Sequence, residues 1–149
     1  MFGPQRLTAH AEADSERPDL LLDCATLTGA ARTALGTELQ ALFCDDDEVA
    51  NGLLKAGIRA GDPLWRMPIW RPYRKHIDGK CADLNNVAQG PFAGSIMGAL
   101  YLAEFVSAST PWAHLDIMAA NPASAPGRPE GGEATGMRAL YTYIRQRFA

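Results

Sequence analysis

Apolar residues along the chain fall into short runs that are bounded by turn-forming residues. Residues 19–25 are mostly apolar, follow Pro18 and precede a turn at Gly29. A run of this length is typical of a strand that is covered on both faces of a sheet. Similar runs occupy residues 41–44 and 112–117. The pattern therefore predicts three buried strands.

Three other segments have the periodicity of helices. Between residues 45 and 61, three aspartates offer an N-cap, apolar residues recur at helical spacing, and a glycine follows the end. Residues 95–106 are apolar nearly all round, which is typical of a helix buried against a sheet or a neighbouring subunit. Residues 137–148 predict an amphipathic helix. Its apolar positions are Met137, Leu140, Tyr141, Ile144 and Phe148.

The remaining segments carry residues that interrupt regular structure. Residues 65–70 are aromatic but broken by Pro68, so we interpret them as a strand at a sheet edge or a loop. Residues 121–132 are rich in proline and glycine and predict a loop. The alternation of strands and helices predicts an α/β fold, in which a mixed or mainly parallel sheet is flanked by helices.

Composition places the chain among ordinary globular proteins. Its 149 residues are 47% hydrophobic and 21% charged, with a formal net charge of −3, which argues against a disordered chain and against a nucleic-acid partner. The longest apolar run, residues 96–106, is shorter than the roughly 20 residues of a membrane span. The first residues have no apolar signal-peptide core. We therefore expect a cytoplasmic protein that binds neither nucleic acid nor membrane.

The cysteines give no sign of redox or metal chemistry. Cys24, Cys44 and Cys81 are odd in number, widely spaced and form no Cys-x-x-Cys. Cys24 has no basic neighbour that would stabilise a thiolate and no adjacent histidine that would act as a base. We expect all three to be small buried residues.

Five sequence blocks in a fixed order carry a more specific signal. They are DCATLTGA at 23–30 with ALG at 34–36, GDPLWRMP at 61–68, ADLNNV at 82–87, WAHLDI at 112–117, and ATG at 134–136. Through these blocks the chain resembles the carboxy-terminal part of the catalytic domain of the leucyl aminopeptidases, also called cytosol aminopeptidases. Each block alone would suit many proteins, and their shared order and spacing make the resemblance specific.

The resemblance implies a metallo-exopeptidase that removes amino-terminal residues from peptides. Two divalent ions, zinc or manganese, polarise the scissile carbonyl and activate a bridging water in such enzymes. Most of the family's ligands lie in a signature N-T-D-A-E-G-R-L and in a segment upstream of it. Counted back from Thr26, this signature would fall before Met1 apart from its last residues. We therefore expect residues 1–15 to be a divergent or engineered leader, residues 16–149 to be a partial catalytic domain, and no cofactor to bind this chain alone.

The same resemblance implies a set of substrate-binding positions in the first block, at the end of the third block and just after the fourth. These are Thr26, Leu27, Gly29, Val87, Met118 and Asn121. Met118 replaces a small residue of the family's first side-chain pocket, and Asn121 replaces an apolar one, which implies a smaller or polar substrate side chain. Ordinary packing accounts for Val87, Met118 and Asn121 equally well. The alternative interpretation of the turn around Thr26 and Gly29 is a strand-to-helix turn that needs small residues for its geometry alone.

Three other residues invite a catalytic interpretation. His114 could be a zinc ligand, but it lies in a strand pattern with no second histidine nearby. Asp83 and Asp116 could form a carboxylate pair, but the family places neither on a metal. We favour structural roles for all three, so the resemblance supplies no catalytic residue and no metal ligand within this chain.

Two functional hypotheses follow. The first is a truncated leucyl-aminopeptidase catalytic domain, inactive alone, that supplies substrate-pocket and oligomer surfaces. The alternative is a non-catalytic binding or assembly module derived from the same fold. Intact family members are homohexamers, and an incomplete domain would expose a sheet edge and apolar helix faces. The expected partners are therefore a peptide substrate, as in the intact family, and either further copies of the chain or a complementary chain.

Overall fold

The computed structural model of the chain describes residues 4–79, 82–87 and 90–149. Cys81 and the first three residues of the expected leader lie outside this part of the chain. The elements, in chain order, are α1 Pro4–Ser15, β1 Leu21–Ala25, α2 Gly29–Leu35, β2 Gln40–Cys44, α3 Asp47–Ala60, β3 Leu64–Met67, a 3-10 helix Arg71–Ile77, α4 Gly94–Ala103, β4 Trp112–Asp116, β5 Ala120–Asn121, β6 Gly131–Gly132 and α5 Met137–Arg147.

A mixed four-stranded sheet forms the centre of the fold. Its strand order is β1-β4-β2-β3. β1 runs parallel to β4, with Asp23 opposite His114, and β2 runs parallel to β3 but antiparallel to β4. Every residue of β2 and β4 is buried. This arrangement confirms the predicted α/β fold with a mixed sheet.

The two faces of the sheet are covered by different helices. On one face, Leu42 and Leu115 pack against Leu53 of α3 and Tyr143 of α5. On the other face, Phe43 packs in a cluster with residues of α2 and α4. Because side chains alternate along a strand, each central strand contributes to both apolar layers.

α3 confirms the helix that was predicted between residues 45 and 61. The side chain of Asp46 accepts a hydrogen bond from the backbone N–H of Val49 and caps the first turn. Gly61 adopts a left-handed conformation, with φ of 60°, and ends the helix. The next residue, Asp62, is buried and accepts hydrogen bonds from the backbone at the start of α5, including Gly136 N at 3.0 Å and Arg138 N at 2.9 Å. One turn therefore ends one helix and anchors another.

Other predicted segments are confirmed with adjusted limits. α4 is buried against the sheet, as expected, with Ala99 next to Phe43 of β2. It ends at Ala103 rather than at residue 106. Residues 64–67 form the edge strand β3. Residues 121–132 form a loop apart from the two-residue pairing of β5 with β6. α2 and the 3-10 helix were not predicted, because both are short and carry no clear periodicity.

The expected burial of β1 and of its Cys24 is wrong, whereas the helix predicted at residues 137–148 is confirmed as α5. β1 is covered only in part, and Cys24 is exposed, because β1 is an edge strand with β4 as its one partner in the described sheet. Most of the predicted apolar stripe of α5 faces outward, with Met137 58% and Tyr141 61% exposed. The reason is that α5 turns its smaller Ala139 and its Tyr143 toward α3 instead.

None of the described helices is long and apolar enough to cross a membrane.

Candidate functional site

A small cavity lies at the end of the sheet where β1 and β4 finish and β2 begins. This end is formed by the carboxyl ends of two parallel strands, which is where α/β proteins commonly bind ligands. The cavity has a volume of about 100 Å³. Its polar lining includes Thr26, Thr28, Arg32, Gln40 and Asp116. The turn that leads from β1 into α2 forms one of its walls.

Asp116, the last residue of β4, holds this turn in place. Its Oδ1 accepts hydrogen bonds from the backbone N–H groups of Leu27 at 3.0 Å and Thr28 at 3.1 Å. Its Oδ2 accepts the hydroxyl of Thr28 at 2.5 Å and that of Ser95 at 3.4 Å. Asp116 is only 3% exposed, so its charge depends on these donors for compensation. The structure therefore gives Asp116 the hydrogen-bonding role that we favoured.

The other side of the turn is fixed by α2 and α4. The Thr28 hydroxyl also accepts a hydrogen bond from Ala31 N at 3.2 Å and so caps α2. Gly98 of α4 lies so close that a Cβ atom there would be 2.8 Å from Cγ2 of Thr28 and 3.0 Å from Cδ2 of Leu27. A glycine at this helix position therefore lets the turn pack against the helix.

The structure brings three of the six predicted substrate positions together. Thr26, Gly29 and Met118 all line the cavity. Leu27 contributes its backbone to the turn, while its side chain packs in an apolar cluster with Trp112. The cavity and the turn thus gather four of the predicted residues, and their contact with substrate remains a prediction.

The other two predicted positions lie elsewhere. Val87 is 50% exposed, and its N–H is bonded to the side chain of Asn85. Asn121 donates from Nδ2 to Glu133 Oε2 at 2.7 Å and to the carbonyl of Pro129 at 3.1 Å. It lines a second cavity of about 180 Å³ rather than the one with Met118. A substrate role for either residue also remains a prediction.

Two residues of the first cavity were missed in the sequence. Gln40 is 2% exposed, and its Oε1 accepts from the backbone N–H of Met118 at 3.3 Å. Its Nε2 has no hydrogen-bond partner among the described atoms. Arg32 places Nη1 3.5 Å from the sulfur of Met118. A glutamine that opens an otherwise apolar strand was the one available signal for this side of the cavity.

A separate buried cluster surrounds Asp23 on β1. Its carboxylate lies 2.6 Å from His114 Nδ1, 2.8 Å from Trp112 Nε1 and 3.1 Å from His10 Nε2 of α1. Burial alone raises the pKa of Asp23, but hydrogen bonds and charge from His10 and His114 outweigh it and hold that pKa well below its usual range. His114 is fully buried and stacks on Phe43 and Trp112. The cluster therefore ties α1 to the sheet.

The remaining candidates do not converge on a site. Asp83 is exposed in the segment 82–87, and Asp116 is buried at the sheet end. Cys44 is buried, its thiol donates to the carbonyl of Asp46, and burial raises its pKa to about 11, so it stays protonated near neutral pH. Within residues 4–79, 82–87 and 90–149, no three His, Cys, Asp or Glu side chains come together as a metal site. The described residues therefore do not fit the two ions that the resemblance implies.

A mixed α/β sheet with a small recess beyond its strand ends, walled by a strand-to-helix turn, defines a domain of the kind found in α/β enzymes. The model of the cytosol aminopeptidase family, catalytic domain, matches residues 7–141. The chain belongs to this family, as the sequence blocks indicated. The match begins within α1, and the expected division at residue 15 remains a prediction.

Individual relatives agree with this assignment. The chain is 45% identical over 133 residues to a probable cytosol aminopeptidase of Chloroherpeton thalassium, covering 89% of this chain and 26% of that protein. It is 50% identical over 101 residues to one from a Bradyrhizobium species, covering 68% and 20%. The crystal structure of the cytosol aminopeptidase from Coxiella burnetii superposes with a TM-score of 0.91 at 49% identity, covering 96% of this chain and 31% of that one. The chain thus spans about a quarter of the length of the curated relatives it matches.

Proposed function

We propose that this chain forms the substrate-cleft part of a metal-dependent leucyl aminopeptidase, which removes amino-terminal residues from peptides in the cytoplasm. The observation that carries the proposal is the close superposition on the Coxiella burnetii enzyme over 96% of the chain. The recess of Thr26, Gly29 and Met118 at the strand ends supports it, because the resemblance implies that these residues belong to the pocket for the first substrate side chain. In this proposal the chain supplies the pocket and surfaces for assembly.

In the proposed enzyme, the two divalent ions, zinc or manganese, are bound by another part of the catalytic domain. No described cluster in this chain suits them, and the resemblance puts their ligands in the signature that precedes the matched blocks. The 149-residue chain alone is therefore expected to bind peptide ends weakly and to lack hydrolytic activity, since its described residues hold no metal cluster that would polarise the scissile carbonyl.

A fusion tests this proposal. The amino-terminal portion of the Coxiella burnetii enzyme, up to the residue that aligns with Ser15, is joined in register to residues 16–149. We expect the fusion to hydrolyse leucine anilide when zinc or manganese is present, while the chain alone and the amino-terminal portion alone do not. Elemental analysis after dialysis should find two ions in the fusion.

The fusion also separates the two hypotheses about this chain. A folded fusion that binds both ions but does not turn over leucine or alanine anilide would contradict the aminopeptidase proposal. That result would favour the alternative, a binding or assembly module that retains the fold. Retention of two ions by the 149-residue chain alone would contradict the assignment of the metal ligands to another part of the domain.

We further propose that the chain associates with copies of itself or with a complementary chain. Support comes from the outward-facing apolar residues of α5 and from β1, whose second edge has no partner strand in the described sheet.

A further inference from the structure

The side-chain acceptors that line the first cavity, the one with Met118, are largely occupied by donors of the chain itself. The buried carboxylate of Asp116 accepts hydrogen bonds from two backbone N–H groups and from two hydroxyls. The side-chain oxygen of Gln40 accepts from the backbone N–H of Met118 at 3.3 Å. Because these oxygens already have donors, a ligand in the cavity meets a lining in which side-chain acceptors are scarce.

The amide of Gln40 adds an unpaired donor to the same lining. Gln40 is 2% exposed, and its Nε2 has no hydrogen-bond partner among the described atoms. The N–H of Met118 fixes the orientation of this amide, because an amide turned over would place two donors against each other. The Nε2 group therefore keeps a partial positive charge that no described acceptor compensates.

Arg32 adds a full positive charge to the cavity lining. Its Nη1 lies 3.5 Å from the sulfur of Met118, which is a weak acceptor. A Cβ atom at Gly29 would lie 3.7 Å from Nη2. The guanidinium thus reaches between two positions that the resemblance implies for the first side-chain pocket. Among the described residues, Arg32 forms no ion pair with a carboxylate.

The position of Arg32 in the last turn of α2 does not explain this arrangement. A basic residue in a last turn commonly interacts with the carbonyl groups at the end of its helix. The guanidinium of Arg32 instead lies near Gly29, the first residue of α2, since helical side chains lean toward the amino-terminal end. Its charge is therefore available on the side of the cavity.

We propose that Arg32 makes this pocket selective for an acidic residue such as aspartate, by pairing its guanidinium with the side-chain carboxylate at the amino-terminal end of a bound peptide. The inference rests on the proposed function, because it takes the cavity to be the pocket for the first substrate side chain. The charge of Asp116 opposes the ligand only weakly, because its hydrogen-bond donors compensate it. The unpaired donor of Gln40 adds to the attraction.

The test compares two small probes whose side chains have nearly the same shape. They are the α-amides of aspartate and asparagine, which differ only in the end of the side chain. Binding to the 149-residue chain is followed by the NMR shifts of the Gly29 and Met118 amides. We expect the aspartate amide to bind about fivefold tighter, the factor that corresponds to about 1 kcal/mol from a solvent-exposed ion pair. The net charge of −3 works against this probe, so a preference for it indicates a local cation.

Variants of Arg32 should change that ratio. Arg32→Gln removes the charge and keeps a polar side chain, so it should bring the ratio to about one. Arg32→Lys keeps the charge without the planar fork and should retain part of the preference. If Arg32→Gln does not fold, the native chain is measured in about 0.05 M and about 0.5 M sodium chloride. The higher salt concentration should bring the ratio toward one, because it screens an exposed ion pair.

Arg145→Gln is the matched control. It removes the same charge from α5, where Arg145 lies over the ring of Tyr141 and does not line the cavity. The probe ratio should therefore stay at about fivefold. This variant separates pairing at the cavity from the change in net charge.

Three results would overturn the inference. The first is that the native chain binds the aspartate amide no tighter than the asparagine amide, which includes no binding of either probe at Gly29 and Met118. The second is a ratio that survives Arg32→Gln or the higher salt concentration. The third is a ratio that Arg145→Gln lowers as much as Arg32→Gln does.

This experiment and the fusion assay fail independently. Because the readout here is binding rather than turnover, an inactive fusion would count against the aminopeptidase proposal without changing the probe ratio. A chain that binds both probes equally would in the same way leave the hydrolysis of leucine anilide by the fusion intact.

Discussion

The half-buried Asp23 and the buried Asp116 connect parts of the chain that are far apart in sequence. Asp116 on β4 holds the turn after β1, and Asp23 on β1 holds His114 on β4 and His10 on α1. The sequence favoured hydrogen bonding for Asp116, but it did not predict the partners of either residue. Those partners depend on the pairing of β1 with β4, which brings residues about ninety positions apart into contact.

Asp23→Asn should destabilise the protein in a pH-dependent way. It removes a charge that the two histidines compensate, and loss of one member of a buried pair costs about 3 kcal/mol. The folded-state pKa of Asp23 is depressed. Its stabilisation is therefore fully present above the unfolded-state pKa of about 4 and is lost as the pH falls through the lower folded-state value.

Chemical denaturation at several pH values measures this effect. The native chain and Asp23→Asn should differ most near pH 6–7, with a gap that narrows below about pH 4. Asp19→Asn changes an exposed carboxylate just before the same strand and should have little effect. A gap that stays constant down to pH 2 would show that the carboxylate charge does not contribute.

At the scale of elements, the contact between α3 and α5 depends on one small residue. A Cβ atom at Gly52 would lie 2.4 Å from Cε2 of Tyr143. The ring of Tyr143 therefore occupies the space that a side chain on α3 would fill. This packing turns Tyr143 toward α3, so that Met137 and Tyr141 of the predicted apolar stripe face outward while Leu140 packs on the core. The stripe was deduced from spacing alone and not from the shape of the opposing helix.

Gly52→Ala should lower the free energy of unfolding by about 1 kcal/mol. Alanine gains up to about 1 kcal/mol of helix propensity over glycine, but forcing a methyl group against the buried ring costs about 1–3 kcal/mol. Asn51→Ala, at an exposed neighbouring position of α3, should be neutral or stabilising. In a Tyr143→Ala background Gly52→Ala should become stabilising, and the same destabilisation in both backgrounds would contradict the close contact.

The elements differ in how well their sequence predicts them. α3 was predicted because its cap at Asp46, its apolar spacing and its terminal Gly61 all agree. β2 and β4 were predicted because both lie in the middle of the sheet, are buried along their whole length and consist mostly of apolar residues. α2 has only seven residues, too few for periodicity to be recognised. Its start depends on the Thr28 cap, whose hydroxyl is held by Asp116 on β4.

At the scale of the whole molecule, the fold class was predictable but the cavity was not. Thr26 and Gly29 belong to a recognisable block, whereas Gln40 enters the same cavity only because β2 runs antiparallel to β4 and starts at that end of the sheet. Arg32 enters it from α2, a helix that the sequence did not predict. In a parallel sheet β2 would start at the opposite end and Gln40 would lie far from the cavity. The local sequence pattern does not show whether a strand is parallel or antiparallel to its neighbour.

The whole chain should associate in solution. Along α5 and at the residue after it, Met137, Tyr141, Ile144 and Phe148 are 58%, 61%, 41% and 55% exposed, which leaves an apolar face largely open to solvent. Light scattering at micromolar concentration should give a mass above the 16.0 kDa of one chain. Ile144→Lys should reduce the association, and Arg145→Lys, on the same helix, should not. A stable monomer would contradict this prediction.

The position of Trp112 also divides the tryptophans of the chain into two optical classes. Trp65 and Trp70 are 57% and 54% exposed, whereas Trp112 is 7% exposed and donates its indole N–H to Asp23. Light emitted by the first two comes from rings that water and dissolved quenchers reach. Light emitted by the third comes from the interior, beside two imidazole rings. The intrinsic fluorescence of this protein is therefore a sum of a surface signal and a signal from the junction of α1 with the sheet.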